Sequence, residues 1–145
     1  MEYFVELGYI GLFIAAFLAA TILPIGSEVV LVGLLLNDFS PTWVVTVATI
    51  GNVLGSILNY VIGFFGSAFF IYKVLKISPQ KFEKAQVAFE KWGAVSLLLA
   101  WVPIIGDPLT VIAGVLRINI WLFLVLVTIG KLGRYLVVSY GALAI

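Results

Sequence analysis

The chain has no cysteine and no histidine in its 145 residues. Lack of cysteine excludes disulfides, thiolate nucleophiles and thiolate-held zinc or iron–sulfur centres, and lack of histidine removes the usual neutral-pH proton carrier and the commonest metal ligand. Neither a cofactor nor a resident metal is expected. Charge is also scarce: Asp, Glu, Lys and Arg make up 10% of the residues, where soluble domains carry about a quarter. A net charge of +1 offers nothing to a nucleic acid. No nucleophile–base pair is in view, so an enzyme is not expected. What is present is apolar, 63% of the residues, with a mean hydropathy of +1.23. The chain reads as an integral membrane protein forming a single membrane domain over 1–145, with no room for a soluble module. Its first residues, Met1-Glu2-Tyr3-Phe4-Val5-Glu6, lack the basic start of a cleavable signal, so the first apolar segment is expected to stay.

One phrase occurs twice. Pro24-Ile25-Gly26-Ser27-Glu28 and Pro103-Ile104-Ile105-Gly106-Asp107 each set a carboxylate four residues after a proline, inside apolar sequence. The offset of 79 residues also aligns Thr49-Ile50-Gly51 with Thr128-Ile129-Gly130. The chain is thus two diverged copies, about 1–72 and about 80–145. Paired halves with Pro/Gly-interrupted apolar segments point to a transport site. A carboxylate at bilayer depth costs ~3 kcal/mol or more and needs compensation.

A spanning helix takes about 20 apolar residues. Phe39 to Tyr72 gives 34 without a charge, and Trp43 to Gly66 is read as a span. Around the second break the longest uncharged run, Trp92 to Gly106, is 15 residues. Pro103 and Pro108 bracket Gly106-Asp107 too closely for an unbroken helix. Arms of about nine residues reach only ~14 Å, the length of a re-entrant hairpin. Pro24, Gly26, Pro103, Gly106 and Pro108 are therefore read as hairpin breaks. Such backbone must be covered by protein or face a water-filled cavity.

The last segment, from Asn119, can span only with Lys131 and Arg134 near its middle. These lie three apart on one helical face and are the natural counter-ions of Glu28 and Asp107. At the 79-residue offset they match Asn52 and Gly55, which with Ser56 and Asn59 form a polar, small stripe on the first span. Blander readings stay open: acids after a break can cap the following helix, long cations can snorkel to an interface, and Gly51 with Gly55 fits close helix packing. Between the copies, Lys73, Lys76, Lys81, Lys84 and Lys91 mark a cytoplasmic side. Val87, Phe89 and Trp92 among them suggest an amphipathic helix on the membrane surface. The expected fold is an all-α polytopic membrane protein. It comprises two inverted repeats, each a re-entrant helical hairpin plus a transmembrane helix, joined by an amphipathic cytoplasmic helix. Inversion puts Glu2, Glu6 and Asp38 outside, and the lysines and Arg117 inside.

The stretches Ala19-Ala20-Thr21-Ile22-Leu23-Pro24, Ser27-Glu28-Val29-Val30-Leu31-Val32, Gly51-Asn52 with Gly55, Trp101-Val102-Pro103, Gly106-Asp107-Pro108-Leu109-Thr110, Ala113-Gly114 with Arg117, and Gly130-Lys131 with Arg134-Tyr135 resemble the DedA family, whose eukaryotic relatives are the VTT-domain or SNARE-associated Golgi proteins. The likeness covers nearly the whole chain and is nearest to the family's short YqaA-type branch. The resemblance implies two membrane-penetrating hairpins of opposite orientation and a role in moving lipid or lipid-linked phosphate between leaflets, linked in the family to the proton motive force. It also implies that the hairpin acids, here Glu28 and Asp107, are important. Larger members carry arginines flanking the proline of the second hairpin, where this chain has Ala100 and Gly106. Lys131, Arg134 and Arg117 are the cations available to replace them.

Three functions fit these residues: a lipid or lipid-phosphate flippase or scramblase, a proton- or cation-coupled transporter of a small solute or metal ion, and a non-transporting assembly protein. A groove open to lipid favours the first and an occluded cavity lined by both acids the second. The candidate substrate- and proton-binding residues are Glu28, Asp107, Lys131, Arg134, Asn52 and Arg117. The expected partners are membrane lipids and protons or cations, with a homodimer compatible. The expected location is the cytoplasmic (inner) membrane, crossed several times.

Overall fold

Start and stop signals in the sequence set most of the element ends. Ser40 and Ser78 each precede a proline and adopt extended backbone as N-caps, and Ser78 Oγ accepts from the Lys81 N–H at 3.2 Å. Proline suits a first helical position, where its missing N–H has no intrahelical partner to lose. Asn119 Oδ1 accepts from the Trp121 and Leu122 amides at 2.9 and 3.3 Å, capping the last helix. Gly66, in the left-handed region at φ 68°, closes the third helix through Gly63 O and Ile62 O. A computed structural model describes residues 2–21, 27–66, 73, 77–101 and 106–144. They comprise α1 (Glu2–Thr21), α2 (Ser27–Leu36), α3 (Pro41–Phe65), α4 (Pro79–Trp92), a 3₁₀ segment (Gly93–Trp101), α5 (Gly106–Val115) and α6 (Ile120–Ala144). The breaks read at Pro24, Gly26 and Pro103 fall outside the described residues.

The 79-residue offset recurs in these bounds. Shifted by it, α2 falls on α5 and α3 on α6, end for end. The turn after each short helix also repeats: Asp38 and Arg117, the non-glycine residues at positive φ among the described residues (65° and 54°), stand at equivalent places. Asp38 N bonds Leu35 O and Phe39 N bonds Leu34 O, as Arg117 N bonds Gly114 O and Ile118 N bonds Ala113 O. The copies differ in their first arm. Continuous α1 corresponds to α4 plus the 3₁₀ segment, because Gly93 (φ 68°) stands where the first copy has Ile14. The amphipathic helix expected as a joint is therefore also the opening of the second copy.

Lengths follow from rise per residue. The 25-residue α3 and α6 measure about 37 Å and are apolar enough to cross a bilayer. The ten-residue α2 and α5 reach only about 15 Å. At 20 residues α1 is about 30 Å, longer than a nine-residue arm, since no glycine in the left-handed region divides it as Gly93 divides its counterpart. Pro108 does not interrupt α5. It lies in the first turn, where a missing N–H costs no hydrogen bond.

Each first arm packs on the long helix of its own half, α1 on α3 and the 3₁₀ segment on α6. Each short helix reaches across, α5 to α3 and α2 to α6. Backbones approach closely at these crossings. A Cβ on Gly55 would lie 2.6 Å from Phe17 O, and one on Gly114 would collide with Tyr60 O. Tyr60 then donates its hydroxyl to Ile118 O, tying α3 to the turn beyond α5. Two apolar clusters result, one around Leu97, Leu109, Ile112 and Phe123, the other around Leu12, Leu31, Val44 and Tyr135. Outward, α6 shows Trp121, Val125, Ile129 and Val137, and α3 shows Trp43 and Phe65. Large apolar side chains along the outside of two spanning-length helices suit a hydrocarbon surround. In α4 the inward side chains are Ala85 and Phe89, while Val87 and Trp92 are exposed among the lysines.

Candidate functional site

Glu28 and Asp107 occupy the second residue of α2 and of α5, inside the first turn, where exposed N–H groups and the helix dipole favour negative charge. Their partners both come from α6. Lys131 Nζ stands 3.4 Å from Asp107 Oδ1, and Arg134 Nη2 contacts Glu28 Oε1. One helical face of α6 thus holds an acid from each copy.

The two pairs sit in different surroundings. The Lys131 side chain is 2% exposed and Asp107 27%, against 20% for Arg134 and 39% for Glu28. The first pair is the more interior, with Lys131 shut off from bulk water. The second borders an open groove of about 570 Å³ whose walls are Leu98, Ile129, Val137 and Val138, with Gly130 and Gly133 between them. Gly130 admits the backbone at Leu98, whose oxygen would lie 2.9 Å from a Cβ there, Gly133 leaves open space, and the ion pair is the polar element of an otherwise apolar lining.

Behind the pairs runs the polar stripe of α3. Asn52 Nδ2 donates to Ala16 O at 2.7 Å, and Asn59 Nδ2 donates to Ala20 O at 2.7 Å and to Thr110 Oγ1 at 3.2 Å. Thr110 donates to Asp107 O at 2.6 Å, and Ser56 to Asn52 O at 3.1 Å. The side-chain oxygens of Thr49, Asn52 and Asn59 are buried without a donor. Asn52 therefore belongs to the α1–α3 contact.

Arg117 is not brought to the acids. It stands two residues beyond the end of α5, at the helix end opposite Asp107, is exposed, and lies over the Phe64 ring at 4.4 Å. Asn59 and Thr110 are site neighbours that sequence reasoning left out of the site. The available signals were the i, i+3 spacing of Thr110 from Asp107 and the place of Asn59 on the polar stripe.

These features define a class: an all-helical membrane protein with two carboxylates at helix starts, compensated by cations of one spanning helix. The VTT domain matches residues 23–142. The chain is 41% identical over 134 residues to inner membrane protein YqaA of Escherichia coli (strain K12), covering 92% of this chain and 89% of that protein. An uncharacterized protein of Haemophilus influenzae is 34% identical, over 89% of this chain and 83% of its own length. An alkaline phosphatase-like protein of Lactococcus lactis subsp. cremoris is 30% identical, over 94% of this chain and 71% of its own. No solved structure matches the chain. The chain belongs to the VTT-domain (DedA) family.

Proposed function

We propose that this protein moves an amphiphile with an anionic head, a phospholipid or a lipid-linked phosphate, between the leaflets of the cytoplasmic membrane, by transport and not by catalysis. The observation that carries this reading is the groove: an ion pair set among apolar walls. An anionic headgroup can exchange with Glu28 at Arg134 while acyl chains lie against Ile129, Val137 and Val138. The groove is open, and Glu28 lines it without Asp107, so it suits a lipid better than an enclosed solute. The interior Asp107–Lys131 pair is the natural proton-handling partner to that site, consistent with a link to the proton motive force.

We further propose that the two copies have inverted orientation, each a re-entrant pair followed by a span, with α4 and its lysines on the cytoplasmic side. The recurrence of element bounds at one offset and the reciprocal packing, α5 on α3 and α2 on α6, support a pseudo-two-fold relation.

Reconstitution tests the function. Liposomes of phosphatidylcholine with fluorescent phosphatidylglycerol or a fluorescent polyprenyl phosphate, with and without an imposed proton gradient, should show protein-dependent loss of leaflet asymmetry. Arg134→Gln should abolish that loss. Wild-type protein behaving like empty liposomes with every probe would overturn the proposal.

A further inference from the structure

Resting on that reading for its transport consequence alone, we infer that Asn59 is a positioning residue that ties the end of α1, the arm that leads to Glu28, to the turn that carries Asp107. In a continuing helix the carbonyl of Ala20 would accept the amide four residues on, but that residue is Pro24 and has no N–H. α1 ends at Thr21. The Asn59 amide of α3 supplies the missing donor at 2.7 Å. Its NH2 group has two hydrogens, and the second goes to Thr110 Oγ1 at 3.2 Å. Thr110 spends its own proton on Asp107 O at 2.6 Å, in the first turn of α5. One side chain, 1% exposed, therefore bridges the end of α1, from which the chain runs to Glu28, and the turn that carries Asp107.

The arrangement fits positioning better than a share in general packing. A leucine of the same branched shape would fill the space but leave Ala20 O without the donor that Pro24 cannot give, whereas Asn59 supplies that bond and the one to Thr110 while its own Oδ1 stays buried and without a donor. That cost is tolerated at a site where two bonds must be donated in two directions at once. The second copy has Val138 at the equivalent position, so the link is made once, from the first copy to the second. A shift of the Asp107 turn, on meeting a proton or a headgroup, pulls on Thr110 and through Asn59 on the end of α1. The two carboxylates then change environment together.

The cysteine-free chain permits a test independent of transport. A nitroxide at Val29→Cys, exposed and adjacent to Glu28, reports on the first turn in detergent or nanodiscs. Thr110→Val, which keeps shape and removes only the hydroxyl, should raise the mobile fraction of that distant label by about twofold, the lower end of coupling within one hydrogen-bond network. Thr110→Ser should leave it unchanged. In an Asn59→Leu background Thr110→Val should add nothing. An unchanged label in Thr110→Val, or the same increment with and without Asn59, overturns the link. Should Asn59→Leu not fold, the Thr110→Val and Thr110→Ser pair decides alone. Asn59→Leu should also lose transport, with recovery in Asn59→Gln, which retains both donors. If wild-type protein moves no lipid, the proposed function fails while the label experiment still decides the coupling.

Discussion

Lys131 and Asp107 face each other at 3.4 Å in the interior, while three residues along the same helix Arg134 meets Glu28 at the edge of an open groove. The same two types of charge thus serve in two dielectric settings, and their variants should behave differently.

Breaking the inner pair should be costly to stability. Lys131→Met or Asp107→Asn each leaves an interior charge without its partner, a penalty of about 3–5 kcal/mol. The Lys131→Met, Asp107→Asn double variant holds no lone charge and should regain most of that loss. Melting of the four forms in detergent checks this. Additive losses would mean that the two groups are not coupled.

At the outer pair the expectation reverses. Partly exposed ion pairs contribute about 0–1 kcal/mol, so Arg134→Gln and Glu28→Gln should melt near wild type while transport in liposomes collapses. Arg117→Gln, remote from the acids, should keep both stability and transport. Normal transport in Arg134→Gln would remove the groove from the mechanism.

The helix crossings predict a contrast among glycines. Gly114→Ala drives a methyl into Tyr60 O and should destabilise by about 1–3 kcal/mol. Gly141→Ala meets nothing within 4 Å and should stabilise α6, by up to ~1 kcal/mol of helix propensity. Thermal melts of both variants measure the difference.

Orientation is accessible to labelling. With cysteine at Ser40 or at Ser78, an impermeant maleimide should reach position 40 from the outside and position 78 only after the cytoplasmic face is opened. Equal labelling of both from one side would sink the inverted arrangement.

Much of this molecule is legible in its residues. Serine–proline pairs mark where α3 and α4 start, Gly66 marks where α3 stops, and the uncharged run from Phe39 places the first span. The repeat is visible because the proline, the acid and the Thr-Ile-Gly triplet keep one offset while the apolar filler drifts. Two things were hidden. That α1 runs unbroken for 20 residues turns on one position, isoleucine in one copy and glycine in the other, whose backbone consequence appears only in three dimensions. The bridging role of Asn59 was hidden because a donor replacing a distant proline's missing N–H leaves no periodic trace. Arg117 misled for the opposite reason: charge is plain in sequence, but the direction a side chain takes at the end of α5 is not.

Both compensating cations belong to α6, and at the equivalent places α3 has Asn52 and Gly55. The halves are therefore not interchangeable as electrical parts. A tandem of two first halves would hold two helix-start carboxylates and no cation, and a tandem of two second halves would set four cations against two acids. Only the mixed pair balances. A unit paired with an identical copy of itself could not reproduce this arrangement, because its two long helices would carry the same residues.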